Sequence, residues 1–157
     1  MANVMPGRYT AKVDGSYVVF IIGMRINQLL AVHKWVPVAK AMGGMMQELY
    51  QNPELGFLGS RSSVNMRTIT QIQYWRSFEH LEKYARHAPL HLTAWRKFNQ
   101  AVGTDGSVGI YHETYLVEAG NYECVYVNMP AFGLGEVGEL VPATGKRESA
   151  RQRINKE

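Results

Sequence analysis

QYWRSFEHLEKYARHAPLHLTAW, residues 73–95, decides how the rest of this chain is arranged. It opens on the end of a strand, turns into a helix at Ser77, breaks at His87-Ala88-Pro89 and restarts as a second helix. Ser77 suits an N-cap, because its hydroxyl accepts one of the backbone N–H groups that a first turn leaves unpaired. Pro89 has no N–H to lose and a φ already close to helical, so it suits the first position of the second helix. Apolar residues then recur at three- and four-residue spacing: Phe78, Leu81, Ala85 and Ala88 in the first helix, Leu92, Trp95, Phe98 and Val102 in the second. Gly103 ends that stripe, and Asp105-Gly106 reads as a turn. The same stretch carries three of the five histidines (His80, His87, His91) and two of the three tryptophans (Trp75, Trp95).

Working outward, the chain before this stretch supplies a strand, a helix and a strand pair. Residues 16–26, SYVVFIIGMRI, form a continuous β-branched and aromatic run, the pattern of a strand buried on both faces. Residues 33–50 place Trp35, Val38, Met42, Met45 or Met46, and Leu49 on one helical face, with Pro37 in the first turn; Asn52-Pro53 stops the helix. The pair Gly43-Gly44 in its middle suggests close approach of backbone or ligand. Residues 55–66 read as an irregular or bulged strand, joined by a hairpin near Val64-Asn65-Met66 to the strand RTITQIQYW.

After the second helix, VGIYHETYLV (108–117) and YECVYVN (122–128) read as strands, joined by a hairpin turn at Ala119-Gly120-Asn121. Residues 129–145 are rich in glycine and read as a surface loop. The domain therefore spans residues 16–145. Residues 1–15 are an N-terminal arm, and residues 146–157, five Lys/Arg against two Glu, a basic disordered tail.

The order is strand, helix, strand, strand, helix, strand, extra strand. This predicts an α+β fold of the ferredoxin-like split βαβ type, an antiparallel sheet with helices on one face. A first strand apolar on both sides asks for cover on the other face, which predicts a homodimer.

Composition narrows the function classes. At 157 residues the chain is one domain, and 46% hydrophobic with 19% charged residues is ordinary for a globular protein. Its net charge of +4 sits largely in the tail, so no nucleic-acid partner is expected. No apolar run is long enough to span a bilayer and no targeting segment is visible, which excludes a membrane anchor and points to the cytoplasm. The single cysteine, Cys124, makes neither an internal disulfide nor a thiolate cluster. Eight methionines suit either an adaptable core or an irregular cavity. Metal sites, phosphate loops and nucleophile elbows are not in evidence.

Several phrases taken together resemble a known family: Gly23-Met24-Arg25-Ile26-Asn27, Tyr74-Trp75-Arg76-Ser77, His91 followed by Ala94-Trp95, Val108-Gly109-Ile110 with His112-Glu113-Thr114-Tyr115, and Asn128-Met129-Pro130 with Gly133-Leu134. The family was first catalogued as a domain of unknown function, later labelled monooxygenase-like, and is placed with the dimeric α/β barrels. The resemblance implies that fold and a pocket between helices and sheet. Related barrels include cofactor-free antibiotic-biosynthesis monooxygenases, haem-degrading monooxygenases, chlorite dismutases and aldoxime dehydratases, and no catalytic motif of theirs maps residue by residue onto this chain.

The expected function is thus a small oxygenase-like enzyme for an apolar small molecule, cofactor-free or haem-dependent, with a haem-dependent dehydratase as runner-up. The alternative is a non-catalytic dimer that binds an apolar ligand or haem. The expected lining is Met42, Met45, Met46, Trp75 and Trp95. His91, at the start of the second helix, would be general base, axial haem ligand or a structural group. His112 shares a strand face with Ile110 and Thr114, and Glu113 takes the other; only the face turned to the helices brings His112 towards His91. Arg25 and Asn27, at a strand end, would hold a carboxylate or haem propionate, or form a salt bridge between subunits.

Overall fold

The order of elements read from the sequence is present, preceded by a strand that was not expected. The computed structural model of the chain describes residues 3–154. It begins with β1 (Met5–Lys12), followed by β2 (Tyr17–Ile26), α1 (Val32–Gln51), β3 (Phe57–Val64), β4 (Thr68–Trp75), α2 (Phe78–His87), α3 (Pro89–Ala101) and β5 (Val108–Val117). The main sheet has the order β3-β4-β2-β5, with every neighbouring pair antiparallel. That is the ferredoxin-like split βαβ arrangement, an α+β fold of the kind from which dimeric α/β barrels are built.

Local chemistry sets the boundaries. Asn65 turns the β3–β4 hairpin by accepting the N–H groups of Arg67 (3.0 Å) and Thr68 (2.9 Å) on its Oδ1. The register of that hairpin shifts between Phe57 and Gly59, the bulge that the glycine implied. Ser77 caps α2 as expected, its Oγ accepting from the His80 N–H. Pro37 lies inside α1 and not in its first turn. Gly43 and Gly44 face open space, so no close approach occurs there.

Strand alternation sends Val18, Phe20, Ile22, Met24 and Ile26 of β2, with Ile69, Gln71, Gln73 and Trp75 of β4, towards the helices. Two apolar clusters form there. One gathers Leu49, Phe57, Leu81, Tyr84 and Ala88 around Trp75, which is 1% exposed. The other gathers Val38, Met42, Val102 and Val108 around Met24.

The opposite sheet face is covered partly by the chain itself. Residues 1–15 are more than an arm: β1 is the centre of a second antiparallel sheet, between β6 (Tyr126–Met129) and β7 (Glu139–Pro142). Its local pattern, MPGRYTAK, carries little apolar alternation because its pairing partners lie more than a hundred residues away. The strand expected at 122–128 is shorter and pairs with β1, not in a hairpin with β5. The stretch expected as a surface loop contains a helical turn, α4 (Leu134–Val137), and β7. Together these pieces bury Ala11, Tyr17 and Leu134, with Val19, Tyr74 and Val117 of the main sheet against them. Residues 146–154 include a second helical turn, α5 (Ala150–Arg153), whose Arg153 donates to Glu123 (2.6 Å). A charge count does not reveal such an ion pair. Residues 155–157 of the expected tail lie outside the described residues.

The rest of that face stays open, with Ile72, Tyr111 and Tyr115 exposed on it. Tyr111 lies across Gly23, where an added Cβ would meet its ring at 2.6 Å, and shares a hydrogen bond with the Thr70 hydroxyl (2.7 Å).

Candidate functional site

A pocket of ≈ 60 Å³ lies between the main sheet and the helices. Its floor is Phe20 and Ile22 of β2 with Gln71, Gln73 and Trp75 of β4. Met42, Met45, Met46 and Leu49 of α1 form one wall, and Leu81, Tyr84 and Ala85 of α2 with His91 of α3 form the other. Since roughly 10–15 Å³ on this measure holds one water, the space admits about four to six. Three flexible thioethers in the wall let it adapt to a larger guest.

His91 stands here because the chain breaks between α2 and α3. Ala88 is extended (φ −70°, ψ 120°) and Pro89 occupies the first helical position, so His91 falls in the opening turn of α3. Its ring lies 5.9 Å from that of Tyr84. Its Nδ1 is buried and has no hydrogen-bond partner among the described residues. An unpaired buried nitrogen of this kind disfavours folding by about 1–3 kcal/mol, so it needs a reason to be there. Tyr84 in turn donates to Glu48 (2.8 Å). Burial, reinforced by that carboxylate, pushes the Tyr84 phenol well above the usual tyrosine range.

The floor carries a polar chain that sequence reasoning missed. The Trp75 indole N–H donates to Gln73 Oε1 (3.0 Å), and Gln73 Nε2 donates to Gln71 Oε1 (3.1 Å) and to Met46 Sδ (3.4 Å). Both glutamines are buried. The signal was present in TITQIQYW, whose alternation puts Ile69, Gln71, Gln73 and Trp75 on one face of a central strand.

Of the expected lining, Met42, Met45, Met46, Trp75 and His91 meet in this pocket. Trp95 does not: it is 51% exposed, stacks on Phe98 (5.7 Å) and borders a shallow outer groove with Leu92 and Arg96. The inward face of α3 runs through His91, Ala94, Phe98 and Val102. Phe98 and Val102 fit both phases, and the bulk of Trp95 outweighs small Ala94 in any hydrophobic count.

His112 takes the helix-facing side, opposite Ile22, with its ring 5.5 Å from Phe20. It is exposed, beside two lining residues and outside the lining itself. Among the described residues, no hydrogen bond or ring contact joins it to His91. Arg25 lies on the other sheet face, exposed, and Asn27 follows β2, donating to the Gly106 carbonyl (3.0 Å). Neither approaches the pocket. His80 is structural: its Nδ1 hydrogen-bonds the Ser77 hydroxyl (2.9 Å), and its ring fills the space a side chain at Gly56 would need, where a φ of +83° also favours glycine. Among the described residues, no group of three or more His, Cys, Asp or Glu could hold a metal ion, and no helix is long and apolar enough to cross a membrane.

An apolar pocket with one imidazole and two oriented amides thus lies between the helices and sheet of a fold of the dimeric α/β-barrel kind. The chain belongs to the Monooxygenase af470-like family, whose pattern it matches over residues 17–134. It is similar to Monooxygenase af470 of Aspergillus fumigatus, with 34% identity over 89% of this chain and 57% of that protein. The chain thus spans a little over half the length of this curated relative. Among solved structures it is similar to an aldoxime dehydratase in complex with butyraldoxime, with a TM-score of 0.70 and 17% identity over 88% of this chain and 42% of that one. A second aldoxime dehydratase structure gives a TM-score of 0.69 and 20% identity over 90% and 43%. At these identities the likeness is one of fold.

Proposed function

We propose that this protein is a cofactor-free monooxygenase for an apolar small molecule bound between α1, α2, α3 and the main sheet. The observation that carries the proposal is the unpaired Nδ1 of His91 on the wall of an otherwise apolar pocket. In the tautomer that carries its hydrogen on Nε2, the Nδ1 of a neutral imidazole has a free lone pair to accept a proton. In the proposed reaction His91 takes a proton from an activated CH₂ group, and the C–H electron pair stays on carbon. The carbanion bonds to dioxygen, the resulting hydroperoxide is protonated, and loss of water leaves C=O. One oxygen atom ends in the product and the other in water. The family name and the pocket support this reading.

Haem is the second reading, with His91 as the candidate axial ligand. Pockets for drug-sized ligands run to roughly 300–1,000 Å³. At ≈ 60 Å³ this one does not fit a macrocycle.

The test is oxygen uptake by the purified protein on apolar compounds with an acidic CH₂ group, together with its visible absorption spectrum. His91→Ala is expected to lower turnover on the order of 10²-fold, the usual scale for a general base. Equal rates in the two proteins would remove His91 from the chemistry. Binding without turnover would leave a non-catalytic ligand-binding protein, and a Soret band that vanishes in His91→Ala would favour haem. The same proposal has the protein working as a homodimer across the open part of the sheet face, where Ile72, Tyr111 and Tyr115 are exposed. A monomer in sedimentation at micromolar concentration would count against it.

A further inference from the structure

The floor of the pocket has a direction. Indole nitrogen is a donor and never an acceptor, so the group facing it on Gln73 must be the carbonyl oxygen, Oε1. That choice fixes the other end of the Gln73 amide. Its two N–H bonds go to Gln71 Oε1 and Met46 Sδ, and its hydrogen-bonding capacity towards the pocket is spent. The orientation then passes to Gln71. With its oxygen turned towards Gln73, its NH₂ group is left as the free end of the chain, and it has no acceptor among the described residues. Gln71 is 6% exposed and lines the pocket. The outcome does not depend on how an amide is drawn, because reversing either glutamine would set donor against donor.

We infer that the pocket recognises a carbonyl group, with the Gln71 amide as its donor. Gln71 is then a specificity-determining residue, and the substrates are apolar ketones or esters with an acidic C–H beside the carbonyl, and not plain hydrocarbons. The donor is a neutral amide among methionines and aromatic rings, which suits a neutral acceptor better than a carboxylate. This inference rests on the proposed function and deepens it. A carbonyl oxygen on Gln71 acidifies the neighbouring C–H. When His91 takes that proton, the C–H pair becomes the enolate double bond and the carbonyl pair moves to oxygen. The Gln71 N–H then meets the charge that develops.

The test uses the full chain and two probes of nearly one shape, cyclopentanone and methylenecyclopentane, followed by NMR. Cyclopentanone is expected to shift the Gln71 side-chain amide signals together with the Trp75 indole and His91 signals. Methylenecyclopentane is expected to shift the indole and imidazole signals but leave the amide in place. Gln71→Leu should weaken cyclopentanone binding about tenfold and leave the alkene within about twofold, since only the ketone loses a partner. Should that variant not fold, the wild-type amide shifts decide the matter alone. If cyclopentanone moves the indole and imidazole but not the Gln71 amide, or binds Gln71→Leu as well as wild type, the carbonyl inference is overturned and the pocket stands. If neither probe moves any pocket signal, the proposed function fails and this inference fails with it.

Discussion

Trp75→Phe tests the oriented amide chain through stability alone, with no need for a substrate. Trp75 is 1% exposed and edge-on to Phe57 (5.5 Å). Phenyl in place of indole gives up about 40 Å² of buried ring, worth roughly 1 kcal/mol at 25 cal/mol per Å². The void left, on the order of 35–40 Å³, adds roughly 0.9 kcal/mol. The lost N–H strands Gln73 Oε1, a buried acceptor with no other partner, for about 1–3 kcal/mol more. The expected loss is therefore about 3–5 kcal/mol in urea denaturation. Gln73→Leu alone strands the indole N–H and the Gln71 oxygen, for a loss of roughly 2–4 kcal/mol. In the double variant neither end of the indole–amide bond remains to be stranded, so the combined loss falls short of the sum by about 1–2 kcal/mol. Losses that add to within about 0.5 kcal/mol would mean that the indole and the amide do not interact, and the argument that orients Gln71 would lose its starting point.

Other perturbations address the frame around the site. Gly43 and Gly44 lie mid-helix facing open space, so Gly43→Ala and Gly44→Ala should each raise stability by roughly 0.5–1 kcal/mol, read from the urea midpoint; a loss would reveal a contact on that face of α1. Gly138→Ala puts a Cβ 2.4 Å from the Lys12 carbonyl oxygen, so it should push β7 off β1 and lower stability by more than about 2 kcal/mol; thermal melts that overlay wild type would refute the docking of the second sheet. Burial raises the phenols of Tyr17, Tyr84 and Tyr126 well above their usual range. Their protonated forms are favoured by folding, so that stability is intact below pH ~10 and falls as pH rises past it, by up to ~1.4 kcal/mol per pH unit for each phenol. Urea midpoints at pH 9 and 11 measure the slope, and Tyr84→Phe should reduce it by the share of one phenol; an unchanged slope would mean that Tyr84 is not shifted by folding.

The main sheet and its helices were legible because their signals are local. A hydroxyl cap at Ser77, a proline at 89 and the unbroken apolar run of β2 each act within a few residues, and β5 was bounded at Val108–Val117 to the residue. The second sheet was not legible, because β1 is held by segments at 126–129 and 139–142 that no local window contains. The site divides along the same line. Met42, Met45, Met46 and Trp75 were found because an amphipathic helix and an alternating strand each declare which face is apolar. Trp95 was misplaced because α3 offered two phases sharing Phe98 and Val102, and the burial of Ala94 and His91 decides between them. Arg25, at the strand end, lies on the face it shares with Gly23, which is the one away from the helices.

The residues most informative about function are the ones that a hydrophobic count discards. Gln71 and Gln73 interrupt the apolar face of a central strand, where two leucines would pack with no polar group to satisfy. Each is there at a cost in desolvation that hydrogen bonds roughly offset for Gln73, while the Gln71 NH₂ has no protein acceptor among the described residues and keeps a little solvent contact. His91 repeats the pattern on the opposite wall, with a buried nitrogen that has no hydrogen-bond partner among the described residues. The unpaired Nδ1 of His91 and the Gln71 amide line one small pocket, and one guest that meets both accounts for them together. A molecule with a carbonyl oxygen and a neighbouring acidic hydrogen presents that pair of complements, an acceptor for Gln71 and a proton for His91. On this argument His91→Leu should yield a protein at least as stable as wild type by urea denaturation, because a buried nitrogen without a partner is gone and the pocket is filled. A variant less stable by more than about 2 kcal/mol would show that this nitrogen is met within the protein, and would dissolve the case for a ligand against it.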